Sequence, residues 1–191
     1  MNKRKTGAVS VFVLAVLVGC QGGDASESIE GTPTKYNAVV KYGDHDDHPI
    51  VATTEDLVTK EAEAELERLV NEYRTSLRLD GLRILPELKD LALAHAVHMA
   101  LHEPAFFDHR NPEGDLPEDR ARTAERIEFT AIGENIAAGQ AAAEAVFRSW
   151  LDSPGHRANL EDPRWTHMGA GHAVLPESPY VTYWTLDLIQ K

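Results

Sequence analysis

Apolar residues recur three and four positions apart along Leu66, Leu69, Val70, Tyr73 and Leu77, the spacing of a helix with one buried face. Glu61, Glu63 and Glu65 lie upstream, where a helix N-terminus favours negative charge, and Gly81 helps end the segment. A second helix is predicted from Pro86 and Glu87, with Leu88, Leu91, Ala92, His95 and Met99 on one stripe and a stop by Pro104. A third is predicted over residues 141–151, with Ala143, Val146, Phe147, Trp150 and Leu151 as its apolar face. The stretch between these two is a polar loop rich in Arg, Pro and Asp, followed by Arg126-Ile127-Glu128-Phe129 as a short strand. Beyond the third helix the pattern alternates. Met168, Ala170, His172 and Val174 share one face of a strand, Gly169 and Gly171 let another backbone approach, and Leu175-Pro176-Glu177-Ser178-Pro179 turns into a strand over residues 180–189. Helices first and a strand pair last predict an α+β layer structure with an antiparallel sheet. Upstream, Tyr36-Asn37-Ala38-Val39-Val40 suits a strand. Residues 43–49 form a polar turn whose Asp and His side chains read as a solvated acidic loop, with cation binding as the alternative.

The N-terminal apolar run has a different meaning. Residues 8–18 follow Lys3, Arg4 and Lys5 and are too few to span a bilayer, which takes roughly 20 apolar residues. They end in Leu17-Val18-Gly19-Cys20, the aliphatic, small, Gly, Cys order of a lipobox. Gly19 gives a signal peptidase access to the bond, and the Cys20 thiol is the strong nucleophile that takes a diacylglycerol, an acylation of the palmitate class. Residues 1–19 are therefore expected to be a bacterial lipoprotein signal peptide, residues 20–60 a lipidated N-terminus and tether, and residues 61–191 one domain. Residues 21–34 are small, polar and rich in Gly, Ser and Thr, as a flexible tether reads. With Gln21 and no retention Asp after the cysteine, an outer-membrane position is expected in a two-membrane bacterium, and otherwise an outward-facing one on the cell membrane.

Charge and cysteine content narrow the partners. The chain carries 19 Lys and Arg against 31 Asp and Glu, a formal charge of -12, which becomes -15 once residues 1–19 are lost. Such a chain repels phosphate backbones, which argues against DNA or RNA as a partner. Cys20 is the single cysteine, so stability must come from a packed core and not from a disulfide.

Four segments combine His or Glu with turn residues: Phe106-Phe107-Asp108-His109, Gly133-Glu134-Asn135-Ile136-Ala137, residues 150–159 from Trp150 through Ser153-Pro154-Gly155-His156 to Asn159, and His167-Met168-Gly169-Ala170-Gly171. In this order and spacing they resemble the CAP superfamily (cysteine-rich secretory proteins, antigen 5 and pathogenesis-related 1 proteins), in its bacterial SCP-like branch, over roughly residues 61–191. The resemblance implies an α-β-α sandwich with a central antiparallel sheet, and a cleft lined by two His and two Glu. Position by position, His109, Glu134 and His156 match three of those four. At the fourth, three residues after Trp150, this chain has Ser153 with Asp152 beside it, so the tetrad is incomplete.

Ser153 followed by Pro154 reads as a helix start, the hydroxyl accepting a first-turn N–H. A Ser153/His156 nucleophilic pair is the weaker alternative, because no Gly-x-Ser-x-Gly elbow accompanies it. Two readings of His109, Glu134 and His156 are open. One is a His₂Glu site with an open position, suited to zinc or another divalent cation, with Glu134 as general base. The other is a buried network in which the carboxylate accepts from both imidazoles and clamps the loops around the sheet. Asn135 is expected to bond backbone near Glu134. His95 is expected to be a hydrogen-bonded interior histidine, His98 and His102 to be partly exposed, and His167 and His172 to decorate their strand. Trp150, Trp165 and Trp184 are expected in the core and cleft wall. The function expected is a non-enzymatic, envelope-anchored domain whose cleft binds a small molecule, a lipid or a partner. The alternatives are a metal-dependent hydrolase of peptide or cell-wall bonds, and a structural spacer without ligand.

Overall fold

A computed structural model describes residues 60–102, 107–124 and 127–191. Cys20, the signal and tether segments, the strand expected at 36–40, the turn at 43–49, Phe106 and Arg126 lie outside the described residues. In chain order the elements are α1 (Lys60–Ser76), β1 (Arg83–Ile84), α2 (Pro86–Leu101), α3 (Pro117–Thr123), β2 (Ala131–Ala138), α4 (Ala143–Asp152), α5 (Pro154–Glu161), β3 (His167–Val174) and β4 (Thr182–Gln190). The sheet order is β1-β3-β4-β2. The two-residue β1 runs parallel to β3, and the other pairings are antiparallel.

Strand alternation sorts the core into two layers, because successive side chains point to opposite faces. On one face Met168, Ala170, Trp184, Leu186 and Leu188 pack with Leu66 and Val70 of α1, Val146 and Trp150 of α4, and Leu160 of α5. On the other, Ile136, Ala173 and Tyr183 meet Ala96, Val97, Met99 and Ala100 of α2. The result is the expected α-β-α sandwich. Gly169 and Gly171 behave as predicted. A Cβ on Gly171 would fall 2.2 Å from the Leu93 backbone nitrogen, and one on Gly169 would fall 2.4 Å from that of Lys89, so α2 lies directly on β3.

Beyond β1, the exposed edge of β3 is covered by α1 and not by a strand. The Ala170 N–H donates to Glu67 Oε1 at 3.1 Å and the His172 N–H donates to Glu63 Oε1 at 3.2 Å. Lys89 Nζ bridges the two carboxylates at 3.3 Å from Glu63 and 3.2 Å from Glu67. Two buried glutamates thus satisfy ladder donors that would otherwise invite another strand.

Several expectations need correction. Residues 127–129 form no strand; the strand is β2, beginning at Ala131, whose Gly133, Glu134 and Asn135 mask it because all three disfavour sheets in isolation. Eight consecutive pairings with β4 override that local preference. The polar loop before it contains α3, opened by Pro117 at its first turn. Leu77 is exposed, because α1 ends at Ser76 and Arg78 turns the chain with φ 62° before Gly81 is reached. Ser153 does stand at the start of α5, its carbonyl accepting from the Arg157 N–H at 2.9 Å, but its hydroxyl makes no capping bond.

Candidate functional site

Glu134 lies in β2, an edge strand, on the face turned toward α2, with its side chain 1% exposed. Its two oxygens are held from different directions. His109 Nδ1 donates to Oε1 at 2.8 Å, and the Arg120 guanidinium of α3 binds Oε2. Arg120 also donates to the carbonyls of His109, at 2.7 Å, and Asp115, at 3.2 Å, so one side chain fixes both the carboxylate and the loop carrying His109. From α2, His95 Nε2 lies 3.9 Å from Glu134 Oε1 and donates to the Asp108 carbonyl at 3.0 Å, which makes it the interior, hydrogen-bonded histidine expected.

Opposite Glu134 in the β2–β4 register stands Asp187, fully buried. Its oxygens receive no bond from an N–H or hydroxyl donor. Burial, then the nearby Glu134 carboxylate, pushes the Asp187 carboxyl well above the usual carboxylate range. The bond to Glu134 raises the His109 imidazole above its ordinary value. Burial, followed by the charge of His109, lowers that of His156.

Asn135 and the His156 backbone meet beside β2. Strand alternation turns Asn135 toward α5, where its amide donates to the His156 carbonyl at 3.1 Å and accepts from Asn159 at 3.0 Å. Asn159 also donates to the Glu134 carbonyl at 3.2 Å, tying α5 to β2. The His156 ring packs near Trp150, 6.4 Å between centroids. Of the two imidazoles expected to donate to the carboxylate, His109 does so. Asn135 anchors the first turn of α5, not the backbone around Glu134.

A cation, one of the two readings of His109, Glu134 and His156, does not fit this arrangement. Among the described residues, no three His, Cys, Asp or Glu side chains are grouped to hold a metal ion. Both oxygens of Glu134 are taken, and the fourth acid position is Ser153. A unit charge repels a divalent ion 4 Å away by about 8 kcal/mol at an effective dielectric constant near 20.

Arg120, Asp187 and His95 are site residues that the sequence reading does not assign. The available signal for Asp187 is an acid inside the apolar run of β4, where a charged group needs a partner. His98 and His172 are buried, contrary to expectation. His172 stacks on Trp184 at 3.7 Å between ring centroids, and His102 is exposed as expected. Trp150, Trp165 and Trp184 are core residues. A surface depression of about 750 Å³, lined by Arg83, Trp165, Thr166, His167 and Lys191 among others, lies apart from Glu134 and contains neither His109 nor His156.

Comparison with known proteins agrees with this architecture. The profile of the cysteine-rich secretory protein family (CAP) matches residues 67–188. The chain is 34% identical over 129 residues to the uncharacterized protein YkwD of Bacillus subtilis (strain 168), covering 68% of this chain and 47% of YkwD. It is 29% identical over 110 residues to the uncharacterized membrane protein YlbC of the same strain, covering 58% of this chain and 31% of YlbC. The matched region thus spans less than half the length of these relatives. An extracellular protein containing a SCP domain from Bacillus anthracis str. Ames superposes with a TM-score of 0.61 at 28% identity, over 69% of this chain and 41% of that one. An outer surface protein from Borrelia burgdorferi shares the fold with a TM-score of 0.62 at 20% identity, over 71% of this chain and 97% of that one. The sandwich, its motif order and these matches together show that the chain belongs to the cysteine-rich secretory protein (CAP) family.

Proposed function

We propose that this CAP domain is an envelope-displayed binding module, held to a membrane by lipid on Cys20, whose ligand meets the edge of the sheet at His109 and His156. The observation that carries this reading is the saturation of Glu134. A carboxylate already engaged by a guanidinium and an imidazole is neither a free general base nor an open metal ligand, which weakens the hydrolase alternative. His109 remains 46% exposed with its Nδ1 committed inward, leaving Nε2 as the ring nitrogen for a ligand, and the His156 ring is half-buried nearby. The extracellular Bacillus anthracis relative and the lipobox support the surface placement.

The test compares the detergent-solubilised chain with a His109→Gln/His156→Gln variant of unchanged circular dichroism, each incubated with fractionated envelope lipids, glycans and proteins. One component retained by the parent and lost by the variant is expected. Equal retention of every component by both would sink the binding role at these histidines. Turnover of peptide or cell-wall substrate that disappears in Glu134→Gln would overturn the non-enzymatic reading.

A further inference from the structure

We infer that Arg120 is a resident cation, its guanidinium occupying at Glu134 the place a divalent ion would need and so making the cleft metal-independent. The inference concerns how the site is built, and it stands whether or not the ligand assignment above does. Its first support is geometry. Arg120 reaches from α3 with its side chain 6% exposed, binds Glu134 Oε2, and spends a second nitrogen on the carbonyls of His109 and Asp115. A metal ion would need a lone pair on Glu134 at a bond length near 2 Å, and the bound guanidinium and the His109 N–H lie where such bonds would form.

The second support is the set of groups facing the pair. From α2 comes His95, engaged with the Asp108 carbonyl; from β4 comes Asp187, directly opposite Glu134; from the loop before α3 comes His109. One permanent positive charge thus faces one carboxylate that a neighbouring carboxyl group can also bond, and a guanidinium keeps its charge in proteins. The fork of donors does more than neutralise. It holds the His109 loop against β2, the positioning task that a metal performs when it draws ligands from distant segments together.

Zinc retention decides the matter. The detergent-solubilised full chain is dialysed against buffered free zinc and its metal content measured, alongside Arg120→Gln, Arg120→Lys and Arg120→Gln/His109→Ala. The parent and Arg120→Lys are expected to retain no stoichiometric zinc. Arg120→Gln, which removes the charge, is expected to bind zinc at least tenfold more tightly than the parent, and the added His109→Ala to abolish that gain. Stoichiometric zinc in the parent that is lost on His109→Ala would overturn the inference, as would equal zinc affinity in the parent and a folded Arg120→Gln. Should Arg120→Gln fail to fold, the parent and its His109→Ala variant still decide it, since His109-dependent zinc in the parent overturns the inference and a zinc-free parent upholds it.

Discussion

Burial governs the histidines. His95, His98 and His172 are each pushed down to about 4, chiefly because burial disfavours the imidazolium. Between pH 6.5 and 4 the unfolded chain binds protons at these sites that the folded chain refuses. Each therefore contributes stability above 6.5 that is lost as pH falls through that window, about 1 kcal/mol per pH unit per site. Asp187 and Glu63 act in the opposite sense. Their folded values are raised, so stability is gained as pH falls through those values toward the ordinary carboxylate range. Subtracting a variant isolates one site from this opposition. Compared with His172→Gln, the parent should lose about 1 kcal/mol more per pH unit from 6.5 to 4, read from urea midpoints across that range; parallel curves would refute it. The alternation of β3 places His172 on the same strand face as Met168 and Ala170, and the structure agrees. What a local pattern cannot supply is Trp184 opposite, the ring that makes this position interior.

Among elements, α1 and β3 show what a local pattern can and cannot say. The helix is legible from Leu66, Leu69, Val70 and Tyr73, and the strand from alternation with two glycines. Glu63, by contrast, reads as a charge favouring a helix N-terminus, whereas it and Glu67 reach backbone donors 109 and 103 residues away. Such partners are set by the topology and leave no trace in a local window. The same reason hides Arg120, whose seven-residue helix looks like loop, and β2, whose pairing with β4 outweighs the poor strand preference of Gly133-Glu134-Asn135. If Glu67 satisfies the β3 edge, Glu67→Ala should leave the buried Ala170 N–H without its acceptor and cost about 1–3 kcal/mol. Amide exchange should accelerate at Ala170 and stay unchanged at amides in the middle of β4. Unaltered exchange at Ala170 would mean that α1 merely lies beside the edge.

At the scale of the whole molecule, the ordered motifs make the family and the sandwich readable before any coordinates: two of them lie in β2 and β3, and a third spans the junction of α4 and α5. The proposed anchor belongs to this scale too, and its physics is separate from the domain's. No described helix is long and apolar enough to cross a membrane, and a chain with 16 basic and 31 acidic side chains beyond residue 19 gains nothing from anionic headgroups. Under the proposed lipid anchor, membrane association would rest on the acyl chains of Cys20. A single acyl chain holds a protein only marginally, whereas the two chains of a diacylglyceryl group anchor it stably. Cys20→Ser should accordingly move the protein from the membrane pellet to the soluble fraction almost completely and abolish labelling by radioactive palmitate. The parent should remain in the pellet at high salt, since salt screens charges and leaves buried acyl chains in place. Release of the parent by salt, or a variant that still pellets with membranes, would show that a protein surface and not the lipid makes the attachment.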